Sequence, residues 1–239
     1  MPSRTPSVYG LPGDPVLARR GQEALDAVYA PLLAEGVPRI VTNHPTAELV
    51  KVAANSFLAT KISFINAMAE VCEATGGDVV ALAEALGYDE RIGAAFLRAG
   101  VGFGGGCLPK DIRAFVARAE ELGVREAVSF LEQVDAINRR RRDRVVALAE
   151  RCLGGSPEGA RVVVLGAAFK PDSDDIRDSP ALEVARRLHE RGARVRVCDP
   201  RALDAVRRHH RGLETVREPL AALEDADLVL LLTEWNEFV

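Results

Sequence analysis

The apolar positions of this chain follow two rhythms: helical spacing as far as about residue 152, then short unbroken runs from residue 162. Within the first part, residues 15 to 35 carry a helical pattern that Gly36 ends. Short strands flank it at Val8-Tyr9-Gly10 and Arg39-Ile40-Val41-Thr42. The longest pattern opens at Thr46 and runs to about Thr75, where Gly76-Gly77 stops it. Leu49, Val52, Ala53, Phe57, Ile62, Ile65, Ala69 and Cys72 are expected to form one stripe along it. A helix of that extent is roughly 45 Å long and suits a domain interface or a partner. Residues 78 to 99 predict two short helices with Asp78 and Asp89 as N-caps. Ile112, Phe115, Val116, Ala119 and Leu122 predict another, with Pro109 at its first position. Residues 125 to 152 predict a second long helix through Val128, Leu131, Val134, Ile137, Val145 and Leu148. Met1 to Pro6 read as a disordered or trimmed end.

Gly154 to Gly159 has the composition of a linker, and the pattern changes beyond it. Val162 to Leu165 reads as a strand buried on both faces. A helix at 180 to 191, a strand at Val195 to Cys198, helices near 201 to 211 and 219 to 225, and a strand at Leu228 to Leu232 follow. That order predicts a parallel, doubly wound sheet. The fold class is therefore α/β: an all-helical middle domain followed by a Rossmann-like domain. The turn after the first strand of that sheet, Gly166 to Lys170, is not a Gly-x-Gly-x-x-Gly loop, so standard dinucleotide binding is weakly supported there. Lys170 and Arg177 lie past that strand's carboxyl end, where open sheets bind ligands, and could neutralise a diphosphate; either could equally be a solvated charge.

Charge and cysteine usage narrow the function classes. A net charge of −4 over 239 residues gives no reason to expect a nucleic-acid partner. The run Arg139 to Arg142 lies within a helical pattern and reads as a solvated face. The four cysteines form no Cys-x-x-Cys pair and have no histidines at metal spacing, so no metal site is expected. No signal peptide and no long apolar segment stand out, which predicts no membrane span and a reduced, cytoplasmic setting.

Candidate chemistry concentrates at Gly102 to Asp111, where four glycines in five positions precede Cys107. Such a loop lets backbone approach a ligand closely. Cys107 would sit just before a helix N-terminus with Lys110 and Asp111 in the first turn, and both the helix end and the cation favour a thiolate. The alternative is a small buried cysteine in a glycine-rich turn. Lys51 and Asn55, four apart on the long helix, share a face; they are either a solvated pair or groups able to hold a developing oxyanion. Arg91 reads as a surface ion-pair residue and the Phe96 ring as a core aromatic.

Three strings, in order, resemble one known family. Gly102 to Asp111 (GFGGGCLPKD) resembles the catalytic-cysteine motif GFGGSCxxKD of the UDP-glucose/GDP-mannose dehydrogenases, with Gly106 in place of serine. Ala47 to Asn55 resembles the family's AELxKxxxN segment, and Phe169 to Ser179 its FKxDxxDxRxS segment. The resemblance implies NAD-dependent double oxidation of a nucleotide sugar at C6, giving first an aldehyde and then a carboxylate. Cys107 would form a thiohemiacetal and, after the second hydride leaves, a thioester that water cleaves. Asp111 would hold that water, and Lys51 and Asn55 the oxyanion. It places the substrate contacts at Lys51, Arg91, Phe96, Leu97, Arg98, Ala99, Gly100, Gly104 and Lys170, with Arg91 reaching the neighbouring subunit's substrate. Lys110 and Arg177 would meet the phosphates of NAD. The string Asp89 to Gly93 looks more like the members acting on UDP-glucose than those acting on GDP-mannose.

The same resemblance implies three parts: residues 1–43 as the end of an N-terminal NAD-binding domain, 44–153 as a helical central domain with a homodimer interface on the long helix, and 154–239 as a UDP-binding domain. Family members begin with a complete nucleotide-binding domain and end beyond this chain's last strand, so a fragment is expected. Two alternatives stand beside the UDP-glucose enzyme: a non-catalytic dimeric nucleotide-sugar-binding remnant, and a dehydrogenase of GDP-mannose or another UDP-sugar.

Overall fold

The computed structural model describes residues 5–238, and the first four of the residues expected to be a loose end, Met1 to Arg4, lie outside them. The chain divides into two compact units, Met1–Asn55 and Ser56–Val239.

In the first unit two parallel strands flank a helix: β1 (Ser7–Leu11), α1 (Pro15–Ala34) and β2 (Arg39–Asn43), with Ser7 opposite Arg39 and Leu11 opposite Asn43. Asp14 caps α1 by accepting from the amides of Val16 and Leu17 at 2.8 and 2.9 Å, and Pro15 supplies a first helical residue with no N–H to satisfy. Gly36 takes the left-handed conformation that ends the helix, φ 81°. Helix α2 (His44–Thr75) begins two residues before Thr46 because Asn43 is the residue that caps it, accepting from the Thr46 amide at 2.9 Å.

In the second unit the later part of α2 continues into α3 (Val79–Gly87), α4 (Leu108–Glu121), a 3-10 turn at Arg125–Val128 and α5 (Phe130–Cys152). The sheet region follows: β3 (Arg161–Leu165), α6 (Pro180–Glu190), β4 (Arg194–Cys198), α7 (Leu203–His209), β5 (Glu214–Thr215), α8 (Pro219–Leu223) and β6 (Leu228–Leu231). Its strands are all parallel in the order β5-β4-β3-β6. Central β3 buries Val162, Val163, Val164 and Leu165, as its unbroken apolar run predicts. The main core joins Val146 and Ala149 of α5 to Val162 and Val164 of β3 and to Val184 and Leu188 of α6. A smaller core gathers Ala59, Phe103, Ile112, Leu131 and Val134 among the helices.

Three expectations are corrected. No helix forms between Asp89 and Ala99. The Asp89 carboxylate takes the Arg91 amide, and the Lys61 ammonium takes the Ile92 and Gly93 carbonyls at 2.8 and 3.0 Å, groups that a helix would pair internally. The buried face of α2 is the apolar stripe only in part: Ile65 and Ala69 are buried as expected, but Leu49, Ala53 and Phe57 are exposed, and Asn55, Ser56, Ala59, Ser63 and Asn66 are buried in their place. Ser63 and Asn66 have partners there, the Val134 carbonyl and the Gly100 amide. The arginine run is a solvated face only at Arg139 and Arg140. Four consecutive helical residues point all around the axis, so Arg139 and Arg140 meet Asp135 and Glu70, Arg141 reaches the Gly100 carbonyl, and Arg142 is buried.

Candidate functional site

The glycine loop is suspended between the helices and the first crossover of the sheet. From α5, Asn138 clamps Phe103 at both backbone groups: its Oδ1 accepts from the Phe103 amide at 2.7 Å and its Nδ2 donates to the carbonyl at 3.0 Å. Arg142, only 4% exposed, adds a second donor to the Phe103 carbonyl at 3.2 Å, another to the Asp178 carbonyl at 3.4 Å, and an ion pair to Glu183 of α6. Burial alone would raise the Glu183 carboxyl, but the charges and hydrogen bonds of Arg142 and Arg187 outweigh it and hold it below the usual range. From α2, Asn66 accepts the Gly100 amide at 2.8 Å.

On the other side the loop presses on residues 169–180, and this is what the glycines serve. A Cβ on Gly104 would lie 2.4 Å from the Asp178 carbonyl oxygen, one on Gly105 2.8 Å from the Phe169 ring, and one on Gly106 2.5 Å from the Arg177 guanidinium carbon. Gly105 also donates to the Arg177 carbonyl at 2.8 Å. The close approach expected toward a ligand is thus, for these three residues, an approach to another segment of the same chain.

Beside this contact a cleft of about 610 Å³ opens within the second unit, between the loop and the segment Phe169-Lys170-Pro171. Phe96, Arg98, Ala99, Gly100, Gly104 and Lys170, all expected as substrate contacts, line it. Phe96 is no core aromatic: it is 45% exposed, with a left-handed backbone at φ 65° that is unusual for a side chain of its size. Leu97 does not line the cleft: it is buried and lines an adjoining groove with Val79, Val80 and Ala83. Arg91 also stands apart, exposed and paired with Asp89 at 2.6 Å.

Cys107 is the residue before α4, exposed, with its carbonyl accepting the Asp111 amide at 2.9 Å. Lys110 meets Asp111 at 3.5 Å. The Arg177 guanidinium lies over Gly106 and is bound by Asp175 at 2.7 Å; it is held above the usual arginine range first by that hydrogen bond and charge and, more weakly, by Cys107 nearby. Asp175 is correspondingly lowered by Arg177. In the first unit, Lys51 donates to Asn55 at 3.3 Å, as their spacing predicts. Among the described residues no group of three His, Cys, Asp or Glu side chains could hold a metal, and no helix is long and apolar enough to cross a membrane. Sequence reasoning missed Asn66, Asn138 and Arg142, which organise the loop; polar residues at buried helical positions were the only signal.

A parallel sheet with a ligand-sized cleft beyond its strand ends, walled by a glycine loop, places the chain among α/β proteins that bind ligands at that rim. Comparison with known proteins narrows the class. The model of the UDP-glucose/GDP-mannose dehydrogenase central domain matches residues 45–140, and that of the same family's UDP-binding domain matches residues 163–239. The chain belongs to the UDP-glucose/GDP-mannose dehydrogenase family, whose UDP-glucose 6-dehydrogenases are NAD-dependent. It is 41% identical over 219 residues to a UDP-glucose 6-dehydrogenase of Rhizobium meliloti, covering 92% of this chain and 50% of that protein. With the UDP-glucose 6-dehydrogenase TuaD of Bacillus subtilis it shares 43% identity over 201 residues, 84% of this chain and 43% of that one. The structure of a UDP-glucose dehydrogenase from the archaeon Pyrobaculum islandicum superimposes with a TM-score of 0.86 at 41% identity, over 97% of this chain and 51% of that chain. The chain spans about half the length of the curated relatives it matches.

Proposed function

We propose that this chain is the cysteine-bearing, nucleotide-sugar-binding part of an NAD-dependent UDP-glucose 6-dehydrogenase. The observation that carries the reading is the cleft, whose two walls are the glycine loop and the Phe169-Lys170-Pro171 segment, each of them a family motif. Arg98 and Lys170 supply positive charge for a diphosphate, and the exposed Phe96 ring supplies an apolar surface for a base or sugar. Cys107, at the end of the loop and open to solvent, is the nucleophile: its thiolate adds to the aldehyde carbon and so forms the adduct that is oxidised to a thioester. Asp111, one helical turn along, holds the water that releases the acyl group as a carboxylate. Lys51 and Asn55, joined to each other, suit the stabilisation of an oxyanion.

For the cofactor, Lys110 and Arg177 each leave 73% of the side chain exposed and pair with nearby carboxylates that phosphates could replace. NAD, when bound, supplies the hydride acceptor. Arg91, exposed in this protomer, is assigned to the neighbouring subunit's substrate in a homodimer formed along α2. The four free thiols accord with a reducing, cytoplasmic setting.

Calorimetric titration with UDP-glucose, GDP-mannose and NAD tests the binding part. UDP-glucose is expected to bind and GDP-mannose to bind more weakly; preference for GDP-mannose would reassign the sugar, and no binding of either would remove the reading of the cleft. The nucleophile is tested by thiol labelling of Cys107 against Cys152, which is also exposed. Exposure alone predicts equal rates, so equal rates would count against an activated Cys107.

A further inference from the structure

We propose that the groove between the carboxyl end of α2 and the later turns of α5 is an anion-binding site, separate from the cleft, for a small ligand with linked phosphates. The groove has a volume of about 330 Å³, and Glu73 of α2 and Arg141, Arg144, Leu148 and Arg151 of α5 line it. The α5 residues are three, four and three apart, so they share one face of the helix. Three guanidinium groups thus share the groove with one carboxylate, and that carboxylate is already committed. Glu73 pairs with Arg144, which also lies 3.9 Å from Glu70. Arg151 is exposed and, among the described residues, makes no ion pair.

Arg141 carries the inference. It is half-buried, and its Nε donates to the Gly100 carbonyl at 3.0 Å. Its Nη1 is screened from solvent and has no acceptor. The carboxylates that attract it, Glu73 and Glu70, pair instead with Arg144 and Arg140. Burial therefore pulls the Arg141 guanidinium below the usual arginine range. A cation drawn out of water with a donor unused is costly, and native structures leave few such groups. A bound anion supplies both the acceptor and the opposite charge. Guanidinium forks match pairs of phosphate oxygens, which selects phosphate over a lone halide. Arg141 and Arg151 are about 15 Å apart along the helix, a span that favours linked phosphates over a single one.

The test titrates the full 239-residue chain with pyrophosphate, ATP and orthophosphate by calorimetry. Pyrophosphate is expected to bind, and Arg141→Gln and Arg151→Gln each to weaken it about tenfold, the worth of one charge-assisted hydrogen bond. Arg151 holds no partner in the fold, so its variant tests the groove even if Arg141→Gln disturbs Gly100. Arg208→Gln, an exposed arginine on α7, removes the same charge far along the chain and should leave the affinity unchanged. Tighter binding of ATP than of pyrophosphate would identify the linked phosphates as a nucleotide's, and equal or weaker binding as free ones. In the unsubstituted chain the Arg141 Nε–Hε resonance is expected to shift on saturation with pyrophosphate, a readout that needs no variant to fold. Pyrophosphate binding that both groove variants leave unchanged would belong to Arg98 and Lys170 of the cleft and would overturn the inference. So would an absence of binding, an equal loss in Arg208→Gln, or an unmoved Arg141 resonance. Orthophosphate binding as tightly as pyrophosphate would overturn the assignment to linked phosphates.

Discussion

Replacing Asn138 by alanine tests whether the loop is held by the helices or merely rests on them. Two hydrogen bonds to Phe103 disappear, of 2.7 and 3.0 Å, both buried. The Phe103 carbonyl keeps Arg142 as a donor, but the amide is left without a partner. Each lost bond is worth about 1 kcal/mol net, and the orphaned amide adds about 1–3 kcal/mol. The loss of stability should therefore come to about 3–5 kcal/mol. Urea unfolding measures it as a lower midpoint at an unchanged slope. Asn138→Leu separates the contributions, because it restores volume without an acceptor; it should remain destabilised by more than half as much as the alanine variant. Hydrogen exchange at the Phe103 amide should quicken in both. A stability change below about 1 kcal/mol in the alanine variant would refute the reasoning, since the loop would then be held by its contacts with residues 169–180.

The remaining predictions concern the loop's other supports and the long helix. Glu183→Gln should destabilise the chain at neutral pH by about 1–3 kcal/mol by leaving the buried Arg142 charge uncompensated. Because the Glu183 carboxyl is depressed in the fold, its contribution is present above the ordinary glutamate range and is lost as pH falls through the depressed value; denaturation curves of the two proteins should converge in acid and nowhere else. Gly104→Ala drives a methyl to 2.4 Å from the Asp178 oxygen, a backbone atom that cannot turn aside, so UDP-glucose binding should weaken more than tenfold; wild-type affinity by calorimetry would show that the two segments yield freely. Val50, Phe57, Phe64 and Val71 recur every seven residues on α2, all exposed, and the proposed homodimer should use them: light scattering should give a dimer mass that Phe57→Ala and Phe64→Ala together lower, and a monomer at high micromolar concentration would set the proposal aside.

Helix and strand positions were legible because each element states its own period. The run Val162 to Leu165 needs both faces buried, and β3 buries both; Gly36 marks the end of α1 by its own geometry. The cysteine loop was legible as a motif, and its neighbours Phe96 to Gly100 as a segment. What stayed hidden depends on partners distant in sequence. The exposure of Phe96 depends on the left-handed turn that replaces the expected helix, and that turn is fixed by Lys61, thirty-one residues before the Ile92 carbonyl it binds. The buried polar face of α2 reads as an interruption of an apolar stripe until Val134 and Gly100 are seen to accept and donate there. The burial of Arg142 follows from Glu183, forty-one residues on, for which no local pattern exists.

The end of β4 bears on which nucleotide the sheet can hold. In dinucleotide-binding folds an acidic side chain near the end of the second strand accepts a ribose hydroxyl. Asp199 stands just past Cys198, at that position. Its carboxylate is spent on the chain itself. One oxygen accepts the amides of Ala167 and Ala168 at 2.7 and 2.9 Å and the Trp235 indole at 3.1 Å, and the other accepts the amides of Arg201 and Ala202 at 2.9 and 2.7 Å. The group is buried, so five donors leave it little capacity for a ribose. What those bonds accomplish is to fix the turn after β3, and the next residues of that turn, Phe169 and Lys170, are a wall of the cleft. The acidic residue that would read NAD in a dinucleotide fold here braces the rim assigned to the nucleotide sugar. This accords with the match of residues 163–239 to the family's UDP-binding domain. An Asp199→Asn variant should accordingly lose affinity for UDP-glucose, through the displaced Phe169 and Lys170, and show no change in its response to NAD. A selective loss of NAD binding would mean that the carboxylate reads the cofactor after all.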